Sequence, residues 1–284
     1  MTIIIYKLRA SLGHNTIIIL FLTNCLSAQI LFTVEREMDF PAHFSRQDFV
    51  PQKINVGPGG IYFLDTDSRQ IALMSSEEVR IEGGYGIGAD IFFDPIEILV
   101  SGLRVWIVDG TLNTISEFDH RLNFLRTFEM NNIYPDIAAL DTWENVFLWS
   151  DQDQMIYKLD LNSGSMEEFV DFTLYRSSIN QVLDLVVTPD GSVFLLVEKE
   201  QLIYHFNRLG RLVKILKYDQ SIKFIAPFSE RSFLISESGF IADMNEQEKF
   251  QLPILDQIVD VAVANDQLFM LMQDGVKIIV KTPD

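Results

Sequence analysis

Cysteine is almost missing from this sequence. Cys25 is the only one, so no disulfide can form within the chain and stability has to come from packing. Positive charge is scarce as well. The 22 Lys and Arg stand against 40 Asp and Glu, a formal charge of −18. Phosphate backbones and anionic membrane surfaces both call for clustered Lys and Arg, so both are disfavoured as partners. Long apolar runs are lacking too: the longest near the N-terminus, "TIIILFL" (16–22), falls well short of the ~20 residues a membrane helix needs. Motifs of fixed spacing are also absent. There is no His-Glu-x-x-His, no cysteine pair and no Gly-x-Ser-x-Gly. "GGYGIGAD" (83–90) formally matches a dinucleotide fingerprint at Gly84, Gly86 and Ala89. It is followed by "DIFFDP", which cannot open the helix that such a motif requires. Past residue 28 only three histidines remain, His43, His120 and His205, spread over separate parts of the chain. Singly placed histidines are usually solvated or hydrogen-bonded side chains.

The first 28 residues read as an export signal. Lys7 and Arg9 precede the apolar run, and "CLSAQ" offers small residues for cleavage near Ala28. The expected organisation is a signal peptide over 1–28 and one domain over 29–284, placed in the periplasm, the cell envelope or outside the cell, with no membrane span after processing. "LTNC" (22–25) opens an alternative, since it resembles a lipobox in which Cys25 would be acylated, although Asn24 stands where Gly, Ala or Ser is usual.

The full sequence is 48% hydrophobic, ample for a large core, and the part after residue 28 repeats. "IYFLDTDSRQIALM" (61–74) returns as "VWIVDGTLNTISEF", "VFLWSDQDQMIYKL" and "VFLLVEKEQLIYHF". Aligned starts at Ile61, Val105, Val146, Val193, Ser232 and Leu268 are 44, 41, 47, 39 and 36 residues apart. The runs are short, rich in β-branched and aromatic residues, and broken by Gly, Asp, Asn and Ser, which is the pattern of strands and hairpin turns. Residues 182–188, 192–198, 201–207 and 211–218 give four strands, with "PDG" (189–191) as a turn. Four-stranded units at a period of ~40–50 residues predict a β-propeller, here with six blades. The sixth unit has only three strands (259–264, 268–272 and 276–281), while "ILFTVEREMDF" (30–40) is a spare strand. An open ring would leave two bare edges, so the N-terminal strand is expected to complete the last blade.

"PDGSVFLLVEKEQLIYHFNRLGRLVKIL" (189–216) resembles an NHL repeat. "SEFDHRLNFLRTF" (116–128) matches the later half of that pattern, and "FLWSDQDQMIYKLDLNSG" (147–164) is similar to a YWTD repeat. The likeness spans about residues 50–284, and the fifth and sixth units lack the Asp-Gly turn. It implies a six-bladed all-β propeller and a habit of binding without one fixed activity. Some six-bladed propellers are lactonases or lyases with a divalent cation held near the central channel. Carried over, that role would fall to acids on or just before first strands: Glu97, Asp136, Asp184 and Asp260.

Acids recur in the turn between second and third strands: Asp65, Asp67, Asp109, Asp151, Asp153, Glu198, Glu200 and Glu237. Asp is a good turn former. Collectively, acids on one rim would create a negative potential that draws cations or basic partners. The expected function is therefore an exported, non-catalytic binding propeller that docks a protein, peptide or glycan on its acidic loop face, with no cofactor beyond a structural divalent cation. The alternative is a metal-dependent lactonase- or lyase-like enzyme. Second-strand aromatics (Tyr62, Trp106, Phe147, Trp149, Phe194, Phe233, Phe269) are expected between blades, and Trp143 is expected to be the most exposed tryptophan.

Overall fold

The structure is a computed structural model. It describes residues 32–85, 91–175, 179–218, 221–228, 231–245, 249–252, 254 and 256–281. The predicted signal segment (1–28) with Cys25, and Gly86 and Ala89, lie outside these residues.

The chain forms six four-stranded antiparallel sheets. A closing strand, β1 (Phe32–Asp39), comes first, followed by a short helix α1 (Ala42–Arg46). Blade 1 is β2 (Lys53–Gly57), β3 (Gly60–Asp65), β4 (Gln70–Met74) and β5 (Val79–Gly83). Blade 2 is β6 (Pro95–Ser101), β7 (Arg104–Asp109), β8 (Thr114–Asp119) and β9 (Phe124–Glu129). Blade 3 is β10 (Ile137–Leu140), β11 (Asn145–Ser150), β12 (Met155–Asp160) and β13 (Met166–Asp171). Blade 4 is β14 (Val182–Val187), β15 (Val193–Val197), β16 (Leu202–Phe206) and β17 (Leu212–Lys217). Blade 5 is β18 (Ile222–Pro227), β19 (Ser232–Ser236), β20 (Phe240–Asp243) and β21 (Lys249–Gln251). Blade 6 is β22 (Asp260–Ala264), β23 (Gln267–Leu271) and β24 (Gly275–Lys281), and β1 is its fourth strand. The spare strand thus meets the missing one. β1 runs antiparallel to β24, from Phe32 opposite Lys281 to Asp39 opposite Gly275.

The register explains how the core is built. One position on every second strand is aromatic: Tyr62, Trp106, Phe147, Phe194, Phe233 and Phe269. Their partners on the first strands are Asn55, Leu99, Ala139, Val186, Ala226 and Ala262. At this position no first strand carries an aromatic residue, and the bulk sits one strand outward from the axis. The aromatics are buried, and each core cluster joins residues of adjoining blades, as where Trp106 and Val108 of blade 2 meet Val146 and Leu148 of blade 3. Burying one such side chain is worth about 1.5–3 kcal/mol. Helix α1 adds Phe44, which packs its ring on Phe40, Phe49 and Phe63 and ties the closing segment to blade 1. Among the described residues no helix is long and apolar enough to cross a membrane.

Candidate functional site

Antiparallel order fixes which segments share a face. The turns between second and third strands lie with the loops that link blades. The turns between first and second strands, and between third and fourth, lie on the other face. The central channel joins the two.

On the loop face, several of the predicted rim acids are structural. Asp65 is 1% exposed, and Asp109 is 2% exposed. Asp65 accepts from the backbone N–H of Val50 (2.7 Å), Asp67 (3.0 Å) and Ser68 (2.8 Å). Asp109 accepts from Phe93 (2.7 Å), Asp94 (3.0 Å), Thr111 (3.2 Å) and Leu112 (2.8 Å). Each carboxylate latches its own turn to the incoming inter-blade loop, satisfying amides that neither segment could satisfy alone. The picture of these two as solvated rim charges is therefore corrected. In blade 3 the latch is reversed: Asp136, in the loop, accepts from the N–H of Asp151 in the turn (2.7 Å). Asp151 also accepts from Trp149 Nε1 (2.7 Å), and Asp153 accepts from Ser150 Oγ (3.0 Å) and the Tyr157 hydroxyl (3.2 Å). Glu198 accepts from Lys223 Nζ, and Glu237 from Gln257 Nε2 (2.8 Å). Asp67 and Asp151 are exposed, whereas Asp153, Glu198, Glu200 and Glu237 are half-buried.

Within the channel, one register position repeats six times. Opposite Leu64, Val108, Trp149, Leu196, Ile235 and Leu271 stand Lys53, Glu97, Ile137, Asp184, Phe224 and Asp260. Five of these six, all but Ile137, line a cavity of about 340 Å³. Lys53 Nζ donates to Glu97 Oε2 at 2.8 Å. Asp260 accepts from the N–H of Ile54 on the next blade (2.8 Å), and Asp184 accepts from the N–H of Ile225 on the next (2.7 Å). Asn55 Nδ2 donates to the Ile98 carbonyl (3.0 Å). A first strand has a free edge facing the axis, and these side chains cap it from the preceding blade.

Glu97, Asp184 and Asp260 all line this channel cavity, and Asp136 does not. Asp136 lies one residue before the ring position, and successive side chains along a strand face opposite ways. Lys53 went unrecognised, although a lone cation inside the apolar run "KINV" marks it. Burial alone would lower the Lys53 pKa, but Glu97, Asp260 and Asp184 together hold it above the ordinary amine value. Burial pushes Asp184 up to about 7, against the hydrogen bond from Ile225 and the charge of Lys53. Asp260 is raised likewise, by burial first.

A pH prediction follows. A folded-state pKa above the unfolded value means that folding favours the protonated acid, so stability falls as pH rises from about 4 to about 7 and then levels off. Asparagine mimics the protonated form and can still accept from the strand amide. Asp184→Asn and Asp260→Asn are expected to melt above wild type at pH 8 and to match it near pH 4. Equal melting shifts at both pH values would refute the assignment.

The histidines do not converge. His43 is exposed on α1, and His120 follows β8. His205, on β16, is stacked on Phe194 at 4.4 Å, with both ring nitrogens buried and unpaired. That is neither the solvated nor the hydrogen-bonded state expected, and burial lowers its pKa. Among the described residues no group of three or more His, Cys, Asp or Glu is placed to hold a metal ion. Trp143 is 55% exposed, on the face opposite the loops, whereas Trp106 and Trp149 are buried.

No family model matches the chain, and no curated protein matches it either. Solved structures do. A catalytically inactive virginiamycin B lyase from Staphylococcus aureus, solved with quinupristin, is similar at 12% identity with a TM-score of 0.61, over 88% of this chain and 99% of that one. A streptogramin B lyase is similar at 10% identity and 0.58, over 88% and 98%. YCF48 bound to D1 peptide is similar at 11% identity and 0.57, over 82% and 79%. At these identities the likeness shows the propeller fold alone.

Proposed function

We propose that this chain is an exported, non-catalytic binding propeller of the NHL-repeat type, whose loop face docks a protein or peptide segment carrying basic and apolar side chains. One observation carries this. Tyr85, Tyr134, Leu174 and Tyr175 come from three successive inter-blade loops and are 67%, 43%, 78% and 47% exposed. The exposed carboxylates Asp67, Asp94, Asp136 and Asp151 stand on the same face. Exposed tyrosines grouped on one face are typical anchors of protein recognition. The Asp109 and Asp136 latches tie Phe93, Asp94 and Asp136, in two of these loops, to the neighbouring turns, which lowers the ordering left to do there on binding. Asp136 is pushed up by burial and by its neighbours Asp151 and Asp94, a local excess of negative charge that a basic segment would relieve. The net charge of −18 would speed its approach. YCF48, a propeller of the same fold, is solved with a peptide.

The lactonase- or lyase-like alternative depends on a cation in the channel. The side chains there do not fit one, because the Lys53 ammonium already supplies the positive charge among the three acids.

Selection from a displayed random-peptide library tests the proposal. Enriched peptides are expected to carry Lys or Arg beside aromatic or aliphatic residues. Affinity should fall at least about tenfold in the Tyr134→Ala/Tyr175→Ala variant and weaken with added salt. Trp143→Ala, on the opposite face, should bind as wild type. Peptides indifferent to both the tyrosines and salt would refute the proposed face.

A further inference from the structure

A second concave site lies on the face opposite the loops, in the seam between blades 3 and 4. It is a groove of about 220 Å³ lined by Asp141, Trp143, Asn145, Lys158, Gly191 and Arg208. Two features set it apart. Its Trp143 is the most exposed tryptophan, and the indole leans on the turn at Gly191. A Cβ placed on that glycine, whose φ is +82°, would come within 3.3 Å of Trp143 Cζ3 and 3.1 Å of Arg208 Cβ. Only a residue without a side chain leaves both the turn and the groove open.

The second feature is charge. Arg208 is exposed, and its guanidinium makes no hydrogen bond or ion pair among the described residues. That is unusual in a chain with 40 acids. Lys158 lies in the same groove, its ammonium held only by a loose 3.3 Å contact with exposed Glu167. The one acid in the lining, Asp141, is already engaged. It accepts from the N–H of Trp143 (2.8 Å), the N–H of Asn145 (2.8 Å) and Asn145 Nδ2 (2.7 Å). Those bonds fix the Asn145 amide and leave its Oδ1 as an acceptor that takes no hydrogen bond among the described residues.

We infer that this groove binds a saccharide unit bearing a single carboxylate. The apolar C–H face of a pyranose would lie on the Trp143 indole, whose π face is electron-rich. The carboxylate would take the Arg208 fork, which is shaped for it. A ring hydroxyl would donate to Asn145 Oδ1, and Lys158 would donate to another oxygen. The volume suits one ring, and pockets for larger ligands start at about 300 Å³. The strong negative charge of the chain rejects polyanions, so a lone carboxylate fits better than a nucleotide or a densely charged polymer.

The test uses the folded protein and glucuronic acid, a disaccharide ending in glucuronate, glucose, and sodium acetate. Trp143 is a built-in reporter, since the other two tryptophans are buried. Saturable quenching by both uronates, with glucose and acetate each at least about tenfold weaker, is the expected result. Response to the disaccharide but not the free acid would assign the source to a glycan terminus, and response to both would assign it to the sugar acid itself. Arg208→Gln should weaken binding about tenfold, as loss of a charged hydrogen bond does, and Trp143→Ala, followed by calorimetry, should abolish it. Equal affinity for glucose or acetate, no saturable response, or an Arg208→Gln variant that binds like wild type would overturn the inference.

Discussion

Asp109→Ala is expected to lower unfolding stability by about 3–5 kcal/mol, more than any exposed acid on the same face. Four backbone N–H groups converge on this 2%-exposed carboxylate. Alanine would strand them where little water can reach, and each buried donor left unsatisfied costs about 1–3 kcal/mol, though not additively. Asp109→Asn should recover only part of the loss, because its NH₂ would face donors on one side. Asp67→Ala, in the exposed part of a neighbouring turn, should change stability by less than about 1 kcal/mol. Urea denaturation with an unchanged slope separates these cases. If Asp109→Ala and Asp67→Ala shift the midpoint equally, the latch is not what holds the loops.

A chain starting at Pro41 should be worse still. It lacks β1, so β24 becomes a bare edge along its length, and blade 6 is left with three strands. It also lacks Phe32, which packs on Phe228, Phe233 and Phe250 at ring separations of 6.1, 5.0 and 5.8 Å. Phe32→Ala alone should cost about 3–5 kcal/mol. Loss of the whole strand should consume most of the roughly 5–15 kcal/mol by which such a domain is stable. The expected outcome, against a chain starting at Gln29, is poor soluble yield and a broad, non-cooperative melt. A synthetic peptide of residues 30–40 should restore a sharp melt by refilling the gap. A truncated chain that melts sharply at the temperature of the longer one would show that the ring does not depend on this closure.

The sequence revealed the architecture more readily than the site. Blade number, strand order and closure were legible because they depend on counting: six similar units, one strand short at the end and one to spare at the start. Turn types were legible where Gly or Pro carried them, as in "PDG". The role of the turn acids was not. An aspartate in a tight turn looks the same in sequence whether it faces water, as Asp67 does, or collects four amides, as Asp109 does. The difference lies in a loop 15 residues away at Asp94 and in how it folds back. The channel ring was half legible. Charged residues inside apolar first strands flagged Glu97, Asp184 and Asp260, yet the same logic applied to Lys53 was not followed. Asp136 stands just before its first strand as expected, one residue off the ring position, which turns it away from the axis.

That ring also gives the six blades an identity. Their backbones are near copies, and a fold of near copies invites pairing in the wrong order, within one chain or between two. The channel position is not a copy. It reads Lys, Glu, Ile, Asp, Phe, Asp around the axis. Lys53 finds Glu97 only if blade 2 follows blade 1. The carboxylates of Asp184 and Asp260 each take a backbone amide of the next blade, which any first strand could offer, so the Lys53–Glu97 pair is the blade-specific contact. A ring in which another blade stood beside blade 1 would leave the Lys53 ammonium without Glu97, at a cost of several kcal/mol for an ion stranded in a confined space. The Lys53–Glu97 pair therefore marks blades 1 and 2 as neighbours, which the apolar seams between blades would not do alone.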